Sequence, residues 1–227
     1  MGTATDKNII IPAVYNGKRV VALGKRCFKD KTIVFVDIPD SVTSIGFEAF
    51  YGCRSLTSIS MGNSVTSIGG NAFCYCGKLT SMVIPDSVTS IGYGAFSGCS
   101  GLTCMVIPDG VTSIGDRAFY NCSGLMSVMI PDSVTSVGWN AFVGCDNIKY
   151  NEYANALYLG NEDNPYLWLI KAKKQYIESC EINEKTKFIY GNAFYGCRVL
   201  EIITIPNNIL SIGSNAFYDC NSLKYNE

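Results

Sequence analysis

The sequence predicts a mainly β solenoid with short helical or 3₁₀ turns, forming an arc of about nine stacked coils. The first observation is a period. Similar residues recur at steps of 23 through the 227-residue chain, and one repeat reads L-x-x-I-x-I-P-D-S-V-T-S-I-G-x-x-A-F-x-x-C-x-x. The second is repeat length, because 23 residues cannot enclose a core alone. Successive repeats must therefore stack, each burying its apolar side chains against the copies above and below.

Columns of apolar residues keep this period through the regular part of the chain. They are Phe50, Phe73, Phe96, Phe119 and Phe142; Cys53, Cys76, Cys99, Cys122 and Cys145; Ile45, Ile68, Ile91, Ile114 and Val137; and Leu56, Leu79, Leu102, Leu125 and Ile148. After one longer coil, the same step returns between Phe194 and Phe217. These columns are the predicted core.

The order of elements within a repeat follows from local patterns. Leu56, Ile59 and Met61 have the spacing of a short strand with one buried face, and residues 79–84 repeat it. Pro-Asp-Ser or Pro-Asp-Gly then turns the chain. A second extended piece, residues 42–45 and its copies, ends at a glycine. The following x-x-Ala-Phe-x-x-Cys segment fits one tight helical or 3₁₀ turn.

Departures from the repeat divide the single solenoid predicted for residues 1–227 into four regions. They are an N-terminal capping hairpin region at 1–24, regular repeats at 25–148, a long coil with an inserted hairpin at 149–176, and resumed repeats at 177–227. In the first region, residues 9–11 and 20–21 flank Asn16 and Gly17, a dipeptide typical of hairpin turns.

The long coil contains two apolar runs, 156–159 and 166–170, around a Gly-Asn-Glu-Asp-Asn-Pro segment. This arrangement predicts a hairpin that protrudes from the array. The sequence pattern of residues 145–152 recurs at 220–227. After residues 145–152 a long coil follows, and the chain ends at the equivalent point after 220–227. We therefore expect the repeat array to be truncated at its C terminus.

Composition excludes several classes of function. The 18 basic and 19 acidic residues give a formal charge of −1, so no global field attracts nucleic acid. Histidine is absent, which removes the usual general base and the commonest metal ligand. The abundant serines and threonines therefore lack a base, and we expect neither an enzyme nor a cofactor.

The sequence also predicts no insertion into a membrane. No apolar run approaches the roughly 20 residues that cross a bilayer. Residues 1–6 lack the basic and apolar segments of a signal peptide, and Asp6 breaks the myristoylation pattern. The chain given is expected to be soluble.

Eleven cysteines leave two alternatives, a disulfide or metal framework and a ladder of buried thiols. In-register coils place the ladder thiols within disulfide reach at the backbone, but their parallel side chains should point into the core, where cysteine packs as a small hydrophobe. Cys74 and Cys76 have no second pair at zinc spacing. We therefore expect free buried thiols and no metal. Cys104 replaces an outward serine, and we expect a reactive surface thiol there.

An acidic column at the Pro-Asp turns offers a second possible cation site. It consists of Asp40, Asp86, Asp109 and Asp132, with Asn63 and Asn207 at the same position. A carboxylate column could bind calcium, but one carboxylate per coil with no converging second set favours a turn residue that bonds its own backbone.

Two exposed surfaces are candidate partner sites. The first is an apolar stripe on the outward strand positions, rimmed by Thr80, Ser81, Thr103 and Ser127; it consists of Val83, Val106 and Met129, with Met126 beside the last. Cys104, which stands in the serine column of the rim, is a further candidate on this surface. Strand preference alone could also explain β-branched residues there. The second surface is a set of aromatic residues after the repeat glycine and near the turn; its members are Phe47, Tyr93 and Trp139, with Tyr51 and Tyr120.

The repeat text resembles the BspA-like, or Treponema-type, leucine-rich repeats. The resemblance covers eight coils, from Cys27-Phe28 to Ala216-Phe217, and the long coil with Tyr-Leu-Gly, Asn-Pro-Tyr-Leu and Lys-Ala-Lys is similar to an element found between such repeats. It implies a scaffold of bacterial and protist surface proteins that binds host proteins. A location at the cell surface or outside the cell is therefore expected, and no fixed ligand residues accompany the resemblance.

These observations predict a non-enzymatic recognition and adhesion scaffold that binds a protein or glycan through the solenoid surface. The resemblance implies a host extracellular protein as one such ligand. The alternative is a structural array that self-associates through its C-terminal end. An open last coil would expose Leu200, Phe217 and Leu223, and such apolar surface drives association.

Overall fold

A computed structural model of the protein describes residues 7–224. The terminal segments 1–6 and 225–227 lie outside the described residues. The first is the segment in which the sequence predicts no signal peptide, and the second is the end of the C-terminal recurrence. The chain forms two compact units, Met1–Ile148 and Lys149–Glu227. Between residues 7 and 224, the structure contains no helix of the length and apolar character needed to span a membrane.

The first unit is built from short strands. They are β1 (Asn8–Ile10), β2 (Val14–Tyr15), β3 (Lys18–Arg19), β4 (Ala22–Leu23), β5 (Phe35–Ile38), β6 (Ser44–Ile45), β7 (Ser58–Met61), β8 (Ser67–Ile68), β9 (Ser90–Ile91), β10 (Cys104–Val106), β11 (Ser113–Ile114), β12 (Ser127–Met129) and β13 (Ser136–Val137). Six of them form a parallel sheet in the order β13-β11-β9-β8-β6-β4, with one strand from each successive coil.

The sheet register reproduces the period of the sequence. Ser67 pairs with Ser90, and Ile68 pairs with Ile91, so equivalent residues of successive repeats lie side by side. Threonines before these strands add a polar ladder, because the hydroxyl of Thr89 donates to the backbone oxygen of Thr66 at 3.2 Å. The predicted solenoid of stacked coils is confirmed.

The predicted strand column on a second side of the coils is interrupted. Strands β1, β5 and β7 form one parallel sheet, and β10 and β12 form another. Residues 80–84 lie between them in the repeat order but form no strand, which corrects the strand predicted there. Met82 and Ile84 are still buried, so the segment keeps its inward side chains. Thr80 N donates to Thr57 O of the preceding coil at 3.2 Å, but no backbone hydrogen bond to a neighbouring coil is described for residues 81–84.

The Ala-Phe-x-x-Cys edge also differs from the expected helical or 3₁₀ turn. Glu48 and Gly52 have positive φ, 54° and 70°, at the third positions of two consecutive turns, as in type II turns. Ala49 N donates to Gly46 O, and Cys53 N donates to Phe50 O. Amides between these bonds donate to the next coil, so this edge is a further ladder between coils.

Phenylalanine rings stack along the core of the first unit. Phe50, Phe73, Phe96 and Phe119 are fully buried, and successive rings in this column lie 5.2–5.4 Å apart and nearly parallel. Beside them, each ladder thiol donates to the phenylalanine carbonyl of the preceding coil. Cys99 Sγ, for example, lies 3.1 Å from Phe73 O. The ladder cysteines are therefore buried hydrogen-bond donors as well as apolar packing residues.

The N-terminal hairpin is smaller than predicted. Strands β2 and β3 pair around Asn16 and Gly17, whose positive φ values fit a type I′ turn. Residues 9–11 do not pair with 20–21. Strand β1 instead joins β5 in parallel, while β4 joins β6, because these flanking segments extend the two ladders of the coils.

The second unit combines a meander with two repeat coils. Its strands are β14 (Asn151–Tyr153), β15 (Ala156–Leu159), β16 (Trp168–Ala172), β17 (Ser179–Glu181), β18 (Phe188–Ile189), β19 (Ile202–Thr204) and β20 (Ser211–Ile212). One sheet has the order β14-β15-β16-β18-β20, antiparallel among the first three strands and parallel beyond them, and β17 pairs with β19.

The hairpin predicted in the long coil is present, but it does not protrude. Strands β15 and β16 are antiparallel, and β16 also pairs with β18. Tyr158 and Leu169 are fully buried in the core of this unit together with Phe194. The insertion is therefore part of the sheet, because both strands carry apolar residues that need burial.

The last described coil corrects the prediction for the C-terminal end. Leu200 is fully buried, and Phe217 and Leu223 pack against the same core and are partly buried. The coil that carries Phe217 and Leu223 covers Leu200. Its exposed apolar side chains are instead Ile202, Ile205, Leu210, Ile212 and Tyr218.

Candidate binding surfaces

The apolar stripe occupies the outward positions of two paired strands and the segment before them. Val106 and Met129 lie opposite each other in the register of β10 and β12, about 4.8 Å apart at the backbone. Val83 is 82% exposed and Val106 is 59% exposed, whereas Met129 is half-buried. The alternation places Met105 and Val128 in the core and turns their neighbours outward.

The other candidates on this surface lie in β10 and immediately before β12. Cys104 is exposed and pairs in register with Ser127, and Met126 is exposed just before β12. The predicted rim residues Thr80, Ser81 and Thr103 are exposed as well. The structure therefore contains apolar surface on consecutive coils with a polar border.

Cationic side chains of the first unit contact the aromatic candidates. The ring of Phe47 lies under the ammonium of Lys25 at 5.4 Å. The guanidinium of Arg117 lies 5.6 Å from the Trp139 ring and donates to the Tyr93 hydroxyl at 3.3 Å. Cations of the same unit thus already contact these exposed rings.

The other two aromatic candidates also have neighbours within their own unit. Tyr51 packs edge-on against Tyr75 at 5.5 Å and lies under Lys29 at 4.5 Å. Tyr120 lies 5.9 Å from the guanidinium of Arg117. Intramolecular contacts therefore occupy these rings, whereas Val83 and Val106 of the apolar stripe are exposed.

A second exposed thiol escaped the sequence prediction. Cys27 occupies a position where other repeats have alanine, and its side chain is exposed like that of Cys104. Desolvation raises the pKa of Cys27, and burial raises that of the ladder thiol Cys53 to about 11. Cys99 is fully buried, and its pKa is also raised by desolvation. Such thiols remain protonated at neutral pH and are poor nucleophiles.

The carboxylate at one position of the acidic column bonds the next coil, which differs from the expected bond to the backbone of its own turn. Asp40 Oδ1 accepts the backbone N–H of Asn63 in the next coil at 2.8 Å. Among residues 7–224, no cluster of three or more Cys, Asp and Glu side chains is placed to hold a metal ion. Asp40 thus links its own turn to the turn of the next coil.

One buried carboxylate was not singled out from the sequence. Glu48 accepts hydrogen bonds from Arg26 Nε at 2.6 Å and Lys29 Nζ at 3.1 Å. The bond from Arg26 is the main reason that the pKa of Glu48 is lowered, so this carboxylate stays ionised. It is positioned by two cations rather than poised to transfer a proton.

A concave site in the second unit was also missed. The cleft has a volume of about 460 Å³ and combines two tyrosines with polar side chains; it is lined by Gln175, Tyr176, Tyr195, Gly196, Arg198, Val199 and Asp219. The signal that could have revealed it is a count of residues along the coil edge. From Leu169 to Ile177 there are 8 residue steps, whereas 11 steps separate Ile189 from Leu200 in the next coil.

Comparison with known sequences identifies the repeat. The BspA type leucine rich repeat region matches residues 21–149 and 172–227 in six copies. No curated protein shows significant sequence similarity to the chain.

Solved bacterial structures share this architecture. A leucine rich cell surface protein from Faecalibacterium prausnitzii is 31% identical, with a TM-score of 0.61 over 98% of this chain and 69% of that chain. The T. pallidum leucine rich repeat protein is 24% identical, with a TM-score of 0.53 over 96% and 78% of the two chains. The pneumococcal vaccine antigen PcpA is 21% identical, with a TM-score of 0.60 over 99% and 61%. The repeat match extends over most of the sequence, and the chain belongs to the family of BspA type leucine-rich repeat proteins.

Proposed function

We propose that this protein is a non-enzymatic recognition module that binds a protein ligand through the apolar stripe of its first unit. The observation that carries the proposal is the exposure of Val83 and Val106 on consecutive coils. Exposed apolar surface with a polar rim is typical of protein interfaces. The stripe contains no aromatic ring, and its two methionines can adapt to a partner's side chains.

The described residues support binding rather than catalysis. The chain has no histidine, and the buried carboxylate of Glu48 is held by two cations. The ladder thiols donate to backbone carbonyls and are not activated. No nucleophile, base and oxyanion donor converge in the sites described above, as acyl or phosphoryl transfer would require.

A location at the cell surface or outside the cell is part of the same proposal. The protein from F. prausnitzii, which is 31% identical over most of this chain, is described as a cell surface protein. A recognition module with an exposed strand face would meet its ligands there, including host extracellular proteins.

The proposal is tested with peptides selected from a phage-displayed random library on the immobilised full chain. The variant carries Val83→Asp, Val106→Asp and Met129→Asp together. We expect the selected peptides to lose at least about 100-fold in affinity, because each charge would lie unpaired in an apolar interface. The melting temperature should change little, since two of these side chains are exposed and one is half-buried.

The matched control places three aspartates at other exposed apolar positions of the same unit, with Val21→Asp, Tyr75→Asp and Val143→Asp. This variant has the same change of charge and should bind the peptides as the wild type does. If the selected peptides bind the stripe variant and the wild type equally, the stripe is not the recognition surface.

A second candidate function is assembly through the last described coil. Leu210 is 70% exposed and Ile212 is 49% exposed, and β20 lies at the end of its sheet order. An apolar coil face with an open strand edge fits another coil, such as one from a second copy of the chain. The stripe substitutions would leave such association unchanged, so the same variants separate recognition from assembly.

A further inference from the structure

The cleft in the second unit arises because one coil is shortened at its turn edge. Leu169 pairs with Ile189. Ile177 and Leu200 each lie two residues before the paired residues Ser179 and Ile202. The path between these equivalent points is three residues shorter in the long coil, 8 steps against 11. The Ala-Phe-x-x-Cys turn has no room to form, so a notch opens beside the edge of the next coil.

Two tyrosines line this notch with different exposures. Tyr176 is 83% exposed, and Tyr195 is 49% exposed. The ring of Tyr195 is supported by Tyr218, whose ring is stacked on it at 5.4 Å and 10°. The cleft therefore presents one supported ring and one accessible ring to a ligand.

The polar side of the cleft contains an ion pair with no net charge, formed by Arg198 and Asp219. Arg198 Nε and Nη2 contact Asp219 Oδ2 at 2.8 and 2.7 Å, and Asn221 Nδ2 donates to Asp219 Oδ1 at 2.9 Å. The bond from Arg198 is the main reason that the pKa of Asp219 is lowered, so the pair stays ionised at neutral pH. The guanidinium, the carboxylate and the amide of Gln175 provide both donors and acceptors at the cleft.

We propose that this cleft binds a neutral saccharide. A sugar ring has an apolar face of C–H groups that packs on the electron-rich face of a tyrosine, and hydroxyls that need paired donors and acceptors. Tyr176 and Tyr195 supply the first kind of contact, and Arg198, Asp219 and Gln175 supply the second. The volume lies within the roughly 300–1,000 Å³ of small-molecule sites and accommodates one or two sugar rings.

The composition of the cleft argues against other small ligands. A phosphate or carboxylate would need an unneutralised cation, but Arg198 is already paired with Asp219. A purely apolar ligand would desolvate that ion pair without compensating hydrogen bonds. The site is separate from the apolar stripe, and this inference goes beyond the proposed recognition of a protein.

The test uses the full chain and four neutral disaccharides, maltose, cellobiose, lactose and N,N′-diacetylchitobiose, in NMR titrations at millimolar concentration. We expect at least one disaccharide to bind. Tyr176→Ala should weaken that binding about five- to ten-fold through the loss of ring packing. Tyr176→Phe should bind as the wild type does, because it keeps the ring. Since Tyr176 is exposed, neither substitution should affect folding.

The matched control is Tyr120→Ala, which removes the tyrosine at the repeat position equivalent to Tyr195 in the first unit. It should leave saccharide binding unchanged, as should the triple aspartate variant of the stripe. Absence of binding by all four disaccharides, or equal binding by wild type and Tyr176→Ala, would overturn the proposal. The outcome of the peptide experiment on the stripe does not depend on whether the cleft binds a saccharide.

Discussion

Replacing Phe96 by alanine is expected to destabilise the first unit by about 3–5 kcal/mol. The ring is fully buried and lies between those of Phe73 and Phe119, at 5.4 Å from each. Alanine would remove the packing on both faces and leave a cavity in the middle of the column. Neighbouring coils cannot close this cavity, because backbone ladders fix their separation. Equilibrium unfolding in urea measures the loss.

Tyr93→Ala is the matched control, because it removes a ring of similar size from the same coil. Tyr93 is 48% exposed, and its described contact is the hydrogen bond from Arg117. We expect a loss of less than about 1 kcal/mol. Similar losses in the two variants would show that the stacked column is not what stabilises the coils.

Replacing Gly92 by alanine is expected to cost about 1–3 kcal/mol or more. A Cβ at this position would lie 2.7 Å from the backbone nitrogen of Gly70 and 2.8 Å from the carbonyl carbon of Gly69. Both atoms belong to the backbone of the preceding coil and have no rotamer with which to move away. The two coils would have to separate, which would weaken the adjacent hydrogen bond from Gly92 N to Ile68 O.

Gly24→Ala is the matched control within the same column of glycines. A Cβ there meets no atom within 4 Å, and its φ is not in the left-handed region. Alanine at such a site commonly stabilises a protein by about 0.4–1 kcal/mol through the unfolded chain. Thermal unfolding should therefore move in opposite directions for the two variants, and a parallel decrease would contradict the close approach of coils as the cause.

The period alone predicts most of the core. Because the regular repeats present Phe, Cys and aliphatic residues at the same positions, stacking in register brings like residues together whatever the local backbone conformation is. The type II turns are harder to recognise from the sequence. Asn71 and Gly94 suit their positive φ values, but Glu48 and Arg117 occupy the equivalent position in other coils and obscure the pattern.

Pairing choices were harder to predict where the period fails. Residues 9–11 could pair with residues 20–21 in a local hairpin or with β5 in the parallel sheet. The sequence pattern does not indicate which of these two pairings is more stable. An open last coil predicts an exposed Leu200, but the coil that carries Phe217 and Leu223 buries it.

The sequence predicts the apolar stripe in part but does not predict the cleft of the second unit. Strict alternation identified the outward side chains of the stripe, because strand faces alternate with period two. The break at residues 80–84 depends on hydrogen bonds that alternation does not specify. The cleft of the second unit exists because the long coil lacks the Ala-Phe-x-x-Cys turn. A search for recurring residues does not detect a missing turn.

Hydrogen exchange of the full chain, with and without the strongest selected peptide, tests the proposed recognition surface most directly. Residues 81–84 lie outside any strand, so their amides should exchange rapidly in the free chain. On peptide binding, exchange should slow in this segment and in β10 and β12, while β6 and β8 remain unchanged. Slower exchange confined to other segments, with 81–84 unaffected, would contradict recognition through the stripe.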